Sequence, residues 1–313
     1  MILVGEVWGL RDYGHPEQIG LEPTPEEYLQ NLWTVFDGVK VALKDTGNCF
    51  VNLGDTYSSR SGGLASGDYG KLGYDGRAPA IKQSKTDLPD KCLCMIPERF
   101  AWGMIERDWI LRNKIVWHKP NHMPESVTDR LTKSYEVVYH FVKQQKYYYN
   151  LDAIREPHKT TDNRNVADRH LKYRGKFDGS DNSESFGSPR SRTQRNKDKH
   201  ASNDSRTSAG LHEDRWDEYF NEKGKNPGDV WSINTKPYSK AHFAVFPIEL
   251  VRRHILAGCP IGGHVLDPFG GSGTVAEFCR KNERNCTLIE LNPEYKELQI
   301  DRSMANTPEL FSF

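Results

Sequence analysis

The chain has 313 residues, of which 36% are hydrophobic and 27% charged, with 43 Lys plus Arg against 43 Asp plus Glu. This length admits one large α/β domain or two ordinary ones, and seven Trp, fourteen Tyr and thirteen Phe argue against disorder throughout. No run approaches the ~20 apolar residues of a membrane span, and Met1-Ile2-Leu3-Val4 passes at once into Gly5-Glu6 instead of a signal-peptide core, so a soluble, cytoplasmic protein is expected. Six cysteines (Cys49, Cys92, Cys94, Cys259, Cys279, Cys286) include no C-x-x-C pair. They read as ordinary reduced thiols, with no metal site. Balanced charge confines any nucleic-acid footprint to a local patch.

Tyr28, Leu29, Leu32, Val35, Phe36, Val39 and Leu43 recur every three or four residues, which predicts an amphipathic helix over 26–43, opened by Thr24-Pro25-Glu26-Glu27. Gly47 then leads into a buried strand over 49–53, ending at Gly54-Asp55. The segment 58–90 is rich in Gly, Ser and Lys and is expected to be a mobile loop. A helix over 97–112, a strand over 113–117, and a strand pair over 135–142 and 146–149 follow. From 155 to 225 aliphatic residues become scarce. Between Arg190 and Arg206 six basic residues (Arg190, Arg192, Arg195, Lys197, Lys199, Arg206) face two acids, Asp198 and Asp204. Two readings stay open for this stretch: a solvated insertion, or a loop that contacts a polyanion. Order returns with a helix over 248–257, a strand over 264–267, a Gly-rich loop, a helix over 274–281 and a strand over 286–290. Helix-to-strand alternation of this kind is the pattern of an α/β sheet.

The sharpest local signal is Val265-Leu266-Asp267-Pro268-Phe269-Gly270-Gly271-Ser272-Gly273-Thr274. A strand ending in Asp, then small residues, then a helix start lets a ligand approach the backbone closely. Glu290 follows twenty positions after Gly270, where this topology places an acid against a ribose hydroxyl pair. The loop departs from G-x-G-x-x-G, and Asp267 puts a negative charge where a pyrophosphate would be repelled, which disfavours a nicotinamide oxidoreductase. A nucleoside carrying positive charge fits better, and S-adenosylmethionine, with its sulfonium, ammonium and ribose, has that chemistry. A ligand-free α/β loop would explain the glycines, but not Asp267, Gly271, Gly273 and Glu290 together.

These residues carry a resemblance. Asp267 to Thr274 resembles motif I of the DNA amino-methyltransferases, D-P-F-x-G-S-G-T, and Ile289-Glu290-Leu291-Asn292-Pro293-Glu294-Tyr295 resembles their motif II. Trp231 to Leu250, with His242-Phe243-Ala244-Val245-Phe246-Pro247, is similar to motif X, and Asn52-Leu53-Gly54-Asp55-Thr56-Tyr57 to motif V. Trp117-His118-Lys119-Pro120-Asn121 with Met123-Pro124-Glu125-Ser126 resembles the segment beside the catalytic face. Motif I near the C-terminus marks the permuted beta class. The resemblance implies an α/β fold: a Rossmann-like S-adenosylmethionine-dependent methyltransferase sheet, circularly permuted, with an inserted target-recognition region. Its divisions would be a catalytic half at 1–153, the insertion at 154–228 and a cofactor-binding half at 229–313.

The activity implied is methyl transfer from S-adenosylmethionine to the exocyclic amine of adenine (N6) or cytosine (N4) in duplex DNA, with one base flipped out and a companion restriction endonuclease possible. The cofactor residues implied are Phe246, Asp267, Pro268, Phe269, Gly271, Ser272, Gly273, Thr274, Glu290 and Asn292. For DNA phosphates the expected contacts are Lys114, Lys119 and Arg130, joined by Arg190, Arg192, Arg195, Lys197 and Lys199 of the insertion. The family reaches Trp8-Gly9-Leu10-Arg11-Asp12-Tyr13-Gly14 through a catalytic S-P-P-Y, where this chain has Val4-Gly5-Glu6-Val7. Val4 offers no side-chain acceptor and Val7 no aromatic plane, so no intact catalytic tetrapeptide is expected. A truncated or incorrect start, or a silent DNA- or cofactor-binding homologue, would each account for this, and poor transfer by the chain as numbered is the expectation. Asp55 and Tyr57 are the substitute candidates, and His118 has no assigned role.

Overall fold

The computed structural model describes residues 2–4 (by their backbone), 8, 15, 17–58, 86–158, 221–235 and 246–304. The chain divides into two units, residues 1–154 with 226–313, and residues 155–225. Outside the described residues lie Gly5 to Val7, residues 59–85 of the loop expected over 58–90, the insertion bases Arg190, Arg192, Arg195, Lys197 and Lys199, and His242 to Val245.

In the first unit, strands β1 (Ile2–Val4), β2 (Asn48–Leu53), β3 (Ile110–His118), β4 (Tyr135–Val142) and β5 (Val230–Ser232) form one sheet in the order β1-β2-β4-β3-β5. β1 pairs parallel with β2 and β3 parallel with β5, whereas β4 runs against both β2 and β3. The C-terminal ends of β1, β2, β3 and β5 therefore share one edge, which β4 enters at Tyr135. β6 (His264–Asp267) and β7 (Asn285–Leu288) form a parallel pair, and β6 lies beside β1.

Helix α1 (Pro25–Ala42) starts as its first turn dictates: Thr24 Oγ1 accepts the Glu27 amide at 3.2 Å, Pro25 follows, and Glu26 and Glu27 complement the exposed amides. Its apolar stripe Tyr28, Leu29, Leu32, Phe36 and Val39 is buried with Cys49, Val51 and Leu53 of β2 and with Phe100 and Met104 of α2 (Ile96–Glu106). Phe50, on the opposite face of β2, joins a second core with Leu250, Val251 and Ile255 of α3 (Ile248–Gly258) and Val275 and Phe278 of α4 (Thr274–Lys281). With apolar packing on both faces, all six residues of β2 are buried.

Three expected boundaries move. The helix expected to run to residue 112 stops at Glu106, because Asp108 takes a left-handed φ of 58° and Trp109 turns its amide back to the Met104 carbonyl at 3.1 Å. Ile110 and Leu111 thus pair with Val142 and Phe141 of β4, and the strand begins three residues before the expected start at 113. The strand expected at 146–149 does not form. Its backbone is taken by other partners: the Tyr148 amide donates to Thr46 O at 2.9 Å and the Tyr148 carbonyl accepts from Asn48 Nδ2 at 2.7 Å, and just beyond it the Asn150 amide donates to Ala257 O at 2.8 Å. β7 ends at Leu288, and Ile289 and Glu290 continue as loop, with the Ile289 carbonyl accepting from the Gly270 amide at 2.8 Å.

Of the second unit, the two ends are described. Glu156 and Lys225 form an antiparallel bridge with backbone hydrogen bonds of 3.0 and 2.9 Å, and their side chains form an ion pair at 3.1 Å.

Two imidazoles lie deep in the first unit. His140 shares a 2.8 Å hydrogen bond with Asn48 Oδ1 and stacks on Phe50, while His254 lies against Phe50 and Trp231 with ring centroids 4.7 and 5.0 Å away. Burial pushes both down to about 3. As pH falls below about 6.5 the unfolded chain binds protons that the folded chain refuses, so stability is full above that value and declines toward pH 3, by about 2 kcal/mol per ring at pH 5. Thermal melts should show a clear loss between pH 8 and pH 5 that is reduced in His254→Phe. Equal pH dependence in the variant would remove His254 from this account.

Candidate active site

The loop between β6 and α4 is built around two carboxyls. Asp267 ends β6 almost wholly buried, with Oδ1 accepting the Phe269 amide at 3.1 Å. Burial pushes its pKa up to about 7, with the nearby Glu290 charge acting the same way and the Phe269 amide opposing. Glu290 reaches back into the loop: Oε2 accepts the Gly271 amide at 2.7 Å and Oε1 the Asn292 amide at 2.9 Å. One carboxylate thus joins the loop after β6 to the loop after β7. The structure brings Asp267, Pro268, Phe269, Gly271, Ser272, Gly273, Thr274, Glu290 and Asn292 into this one region.

Gly273 caps α4 with a φ of +83°, and a Cβ there would lie 3.1 Å from the Gln299 Cα of α5 (Tyr295–Met304). Both the backbone conformation and the close approach of α5 therefore require glycine. Ser272 and Thr274 are buried, and their hydroxyls accept from Arg302 at 2.7 and 2.8 Å. Asn292 uses its side-chain oxygen on the Glu294 amide, at 3.0 Å, where the chain turns toward α5. Phe269 packs against the first core cluster and Phe246 against the second. Sequence reasoning missed Gln299 and Arg302, which lie beyond the strand over 286–290, the last element expected from sequence.

This donor set fits S-adenosylmethionine. A buried Asp that resists ionisation is relieved by a cationic neighbour, a loop lacking Cβ atoms admits an adenosyl group to its backbone, and Glu290 retains acceptor capacity for hydroxyl donors.

At the edge of the five-stranded sheet, Val4 ends β1. Asp55 follows β2 and is taken up by structure: Oδ1 accepts the Thr56 and Ile96 amides at 2.9 and 3.1 Å and Oδ2 the Met95 amide at 3.1 Å, so this carboxylate caps the start of α2. Its carbonyl accepts from Lys133 Nζ at 2.6 Å. Tyr57 lies under the Arg130 guanidinium, 4.3 Å from the ring centroid, with Lys133 Nζ at 5.6 Å. The loops after β3 and β5 are joined by His118 Nδ1 to Ser232 Oγ at 3.1 Å and by Asn121, whose Oδ1 accepts the Thr235 amide at 2.8 Å and whose Nδ2 donates to Thr235 O at 2.9 Å. Each described candidate for DNA contact has an acidic partner: Lys119 pairs with Glu136, Arg130 with Glu125 at 2.6 Å, and Lys114, in mid-β3, with Glu98 at 2.6 Å. Among the described residues no cluster of His, Cys, Asp and Glu could hold a metal ion.

The family model described as DNA methylase, of the N6/N4 type, matches residues 11–301. The chain belongs to this family. Relatives include the Type II methyltransferases M.Cfr9I of Citrobacter freundii, 37% identical over 94% of this chain and 77% of that protein, and M.SmaI of Serratia marcescens, 36% identical over 94% of this chain and 80% of that protein. Among solved structures, PvuII DNA methyltransferase (cytosine-N4-specific) matches with a TM-score of 0.56 at 14% identity, covering 99% of this chain and 80% of that one. The likeness shows that the DNA methylase here shares that fold.

Glu290 holds two backbone amides of the loop and keeps acceptor capacity for ribose hydroxyls, so Glu290→Ala should lose a charge-assisted bond worth ~1.5–3 kcal/mol and weaken S-adenosylmethionine binding roughly ten- to a hundredfold. Calorimetry is the measurement, and unchanged affinity would remove Glu290 from the site.

Proposed function

We propose that this DNA methylase transfers a methyl group from S-adenosylmethionine to an exocyclic amine, N6 of adenine or N4 of cytosine, of a base flipped out of duplex DNA. The observation that carries the reading is the buried Asp267 carboxyl facing a Gly-rich loop that Glu290 ties to the next strand. When bound, the cofactor supplies an activated methyl on a sulfonium. The chain's own residues hold and orient: the loop 267–274 shapes the cofactor cleft, Glu290 fixes that loop, and the Asn121 and Thr235 pair keeps the loops after β3 and β5 in register at the edge where the C-terminal ends of β1 and β2 lie. Orientation of an amine toward its electrophile is a term that reaches ~7–11 kcal/mol in well-aligned systems. The position of motif I after the other motifs supports the permuted order, and residues 155–225 are the proposed target-recognition region. No described helix is long and apolar enough to cross a membrane, and the relatives include bacterial restriction-modification names. Action in a prokaryotic cytoplasm beside a companion endonuclease accords with both.

A second reading, a homologue that binds without transferring, is favoured by Val4-Gly5-Glu6-Val7 at the tetrapeptide position and by the use of Asp55 as a helix cap. Incubation with labelled S-adenosylmethionine and duplex DNA, followed by digestion to nucleosides, should yield labelled N6-methyladenine or N4-methylcytosine. If label stays at background while the cofactor binds, the second reading holds. The combined changes Val4→Ser, Gly5→Pro, Glu6→Pro and Val7→Tyr should raise the rate about a thousandfold, as expected when two acceptors and a stacking ring are restored.

Contact with DNA phosphates is assigned to Lys119, Arg130 and Lys114 together with the basic residues between 190 and 199. Affinity should then fall by about a factor of ten for every two phosphate contacts as salt rises from about 50 to 200 mM. Deleting residues 189–208 should flatten that slope in filter binding, and an unchanged slope would leave this stretch without a role in binding.

A further inference from the structure

Helix α5 touches the Gly-rich loop at Gln299 and Arg302. Gln299 Nε2 donates to Gly271 O at 2.9 Å, a Cβ on Gly273 would lie 3.1 Å from the Gln299 Cα, and Arg302, one turn later, donates through Nη1 to Ser272 Oγ at 2.7 Å and Thr274 Oγ1 at 2.8 Å. The same guanidinium donates through Nε to Glu277 Oε2 of α4 at 2.8 Å, and this ion pair is largely buried, with side chains 11% and 19% exposed. A guanidinium holds its donors in a fixed planar fork, so one Arg302 conformation serves all three partners. Three of the four residues from 270 to 273 are glycine, the type that loses most conformational freedom when ordered. Without an external brace such a loop would have to be ordered by its ligand, at a cost in affinity.

We propose that Arg302 is a positioning residue for the cofactor loop, and that the Ser272 and Thr274 hydroxyls serve as tethers to α5. This rests on the loop being the cofactor site and adds a residue of the C-terminal helix that acts on the ligand through the loop. The tethers convert ordering on binding into ordering on folding, and they leave the loop backbone and Glu290 as the surface presented to the nucleoside.

Hydrogen exchange of the loop amides in the ligand-free protein tests the tether, and calorimetry with S-adenosylhomocysteine tests its effect on binding. Arg302→Ala should speed exchange at 270–274 at least tenfold with β2 and β4 unchanged, weaken binding roughly ten- to a hundredfold, and Arg302→Lys should recover part of both. The pair Ser272→Ala with Thr274→Val should reproduce most of the loss, and adding Arg302→Ala to it should cost much less than Arg302→Ala costs alone, the remainder being the ion pair to Glu277. Additive losses would make the hydroxyls ligand contacts in their own right and overturn the proposal, as would unchanged exchange in Arg302→Ala. If Arg302→Ala does not fold, the hydroxyl pair gives the same exchange readout. Failure of the unaltered protein to bind S-adenosylhomocysteine would defeat the cofactor reading, while the exchange result still decides whether Arg302 braces the loop.

Discussion

Strand β4 runs against both of its neighbours, and that reversal lets β2 and β3 point the same way although neither pairs with the other. Four C-terminal strand ends then meet one edge. The loops that leave these ends carry Asp55, Tyr57, His118, Asn121 and Thr235, drawn from positions nearly two hundred residues apart in the chain. Open α/β sheets bind ligands at such edges because the strand ends leave backbone and loops free to line a crevice. Here the neighbouring segments are also stitched to one another, His118 to Ser232 and Asn121 to Thr235, so the edge is a constructed surface and not a row of independent loops.

Asp267 and Asp55 show two opposite uses of a carboxyl at a strand end. Asp55 receives three backbone amides and holds the start of α2. Asp267 receives the Phe269 amide and stays buried, which makes its ionised form costly. A carboxyl held in that condition opposes the stability of the ligand-free fold at neutral pH, since the unfolded chain ionises it freely. Such a penalty is characteristic of positions kept for binding. Sequence alone gave both residues the same appearance, an Asp following a short apolar strand.

Regular elements were legible where one force dominated. The stripe from Tyr28 to Val39 and the cap at Thr24 set α1 to within a residue of its expected limits, and the loop from Asp267 to Thr274 was recognisable because its glycines and its acid serve backbone geometry directly. Legibility failed where a distant partner decides. Residues 146–149 have strand composition, yet Thr46 captures the Tyr148 amide and Asn48 the Tyr148 carbonyl. Arg302 lies beyond the last element expected from sequence, and it meets the loop because α5 folds back onto it. Lys114 and Lys119 were visible as charges, but their acidic partners Glu98 and Glu136 lie 16 and 17 positions away, where a local reading does not connect them.

The bridge between Glu156 and Lys225 closes the second unit at its base. A segment whose two ends are fastened to each other burdens its host with a fixed closure, whatever its content, and each doubling of its length adds only about 0.6 kcal/mol. The length of chain between these two residues can therefore change at little cost in closure entropy. What the fold has to keep at this place is the pairing of two residues at a junction, and not any particular length of chain between them.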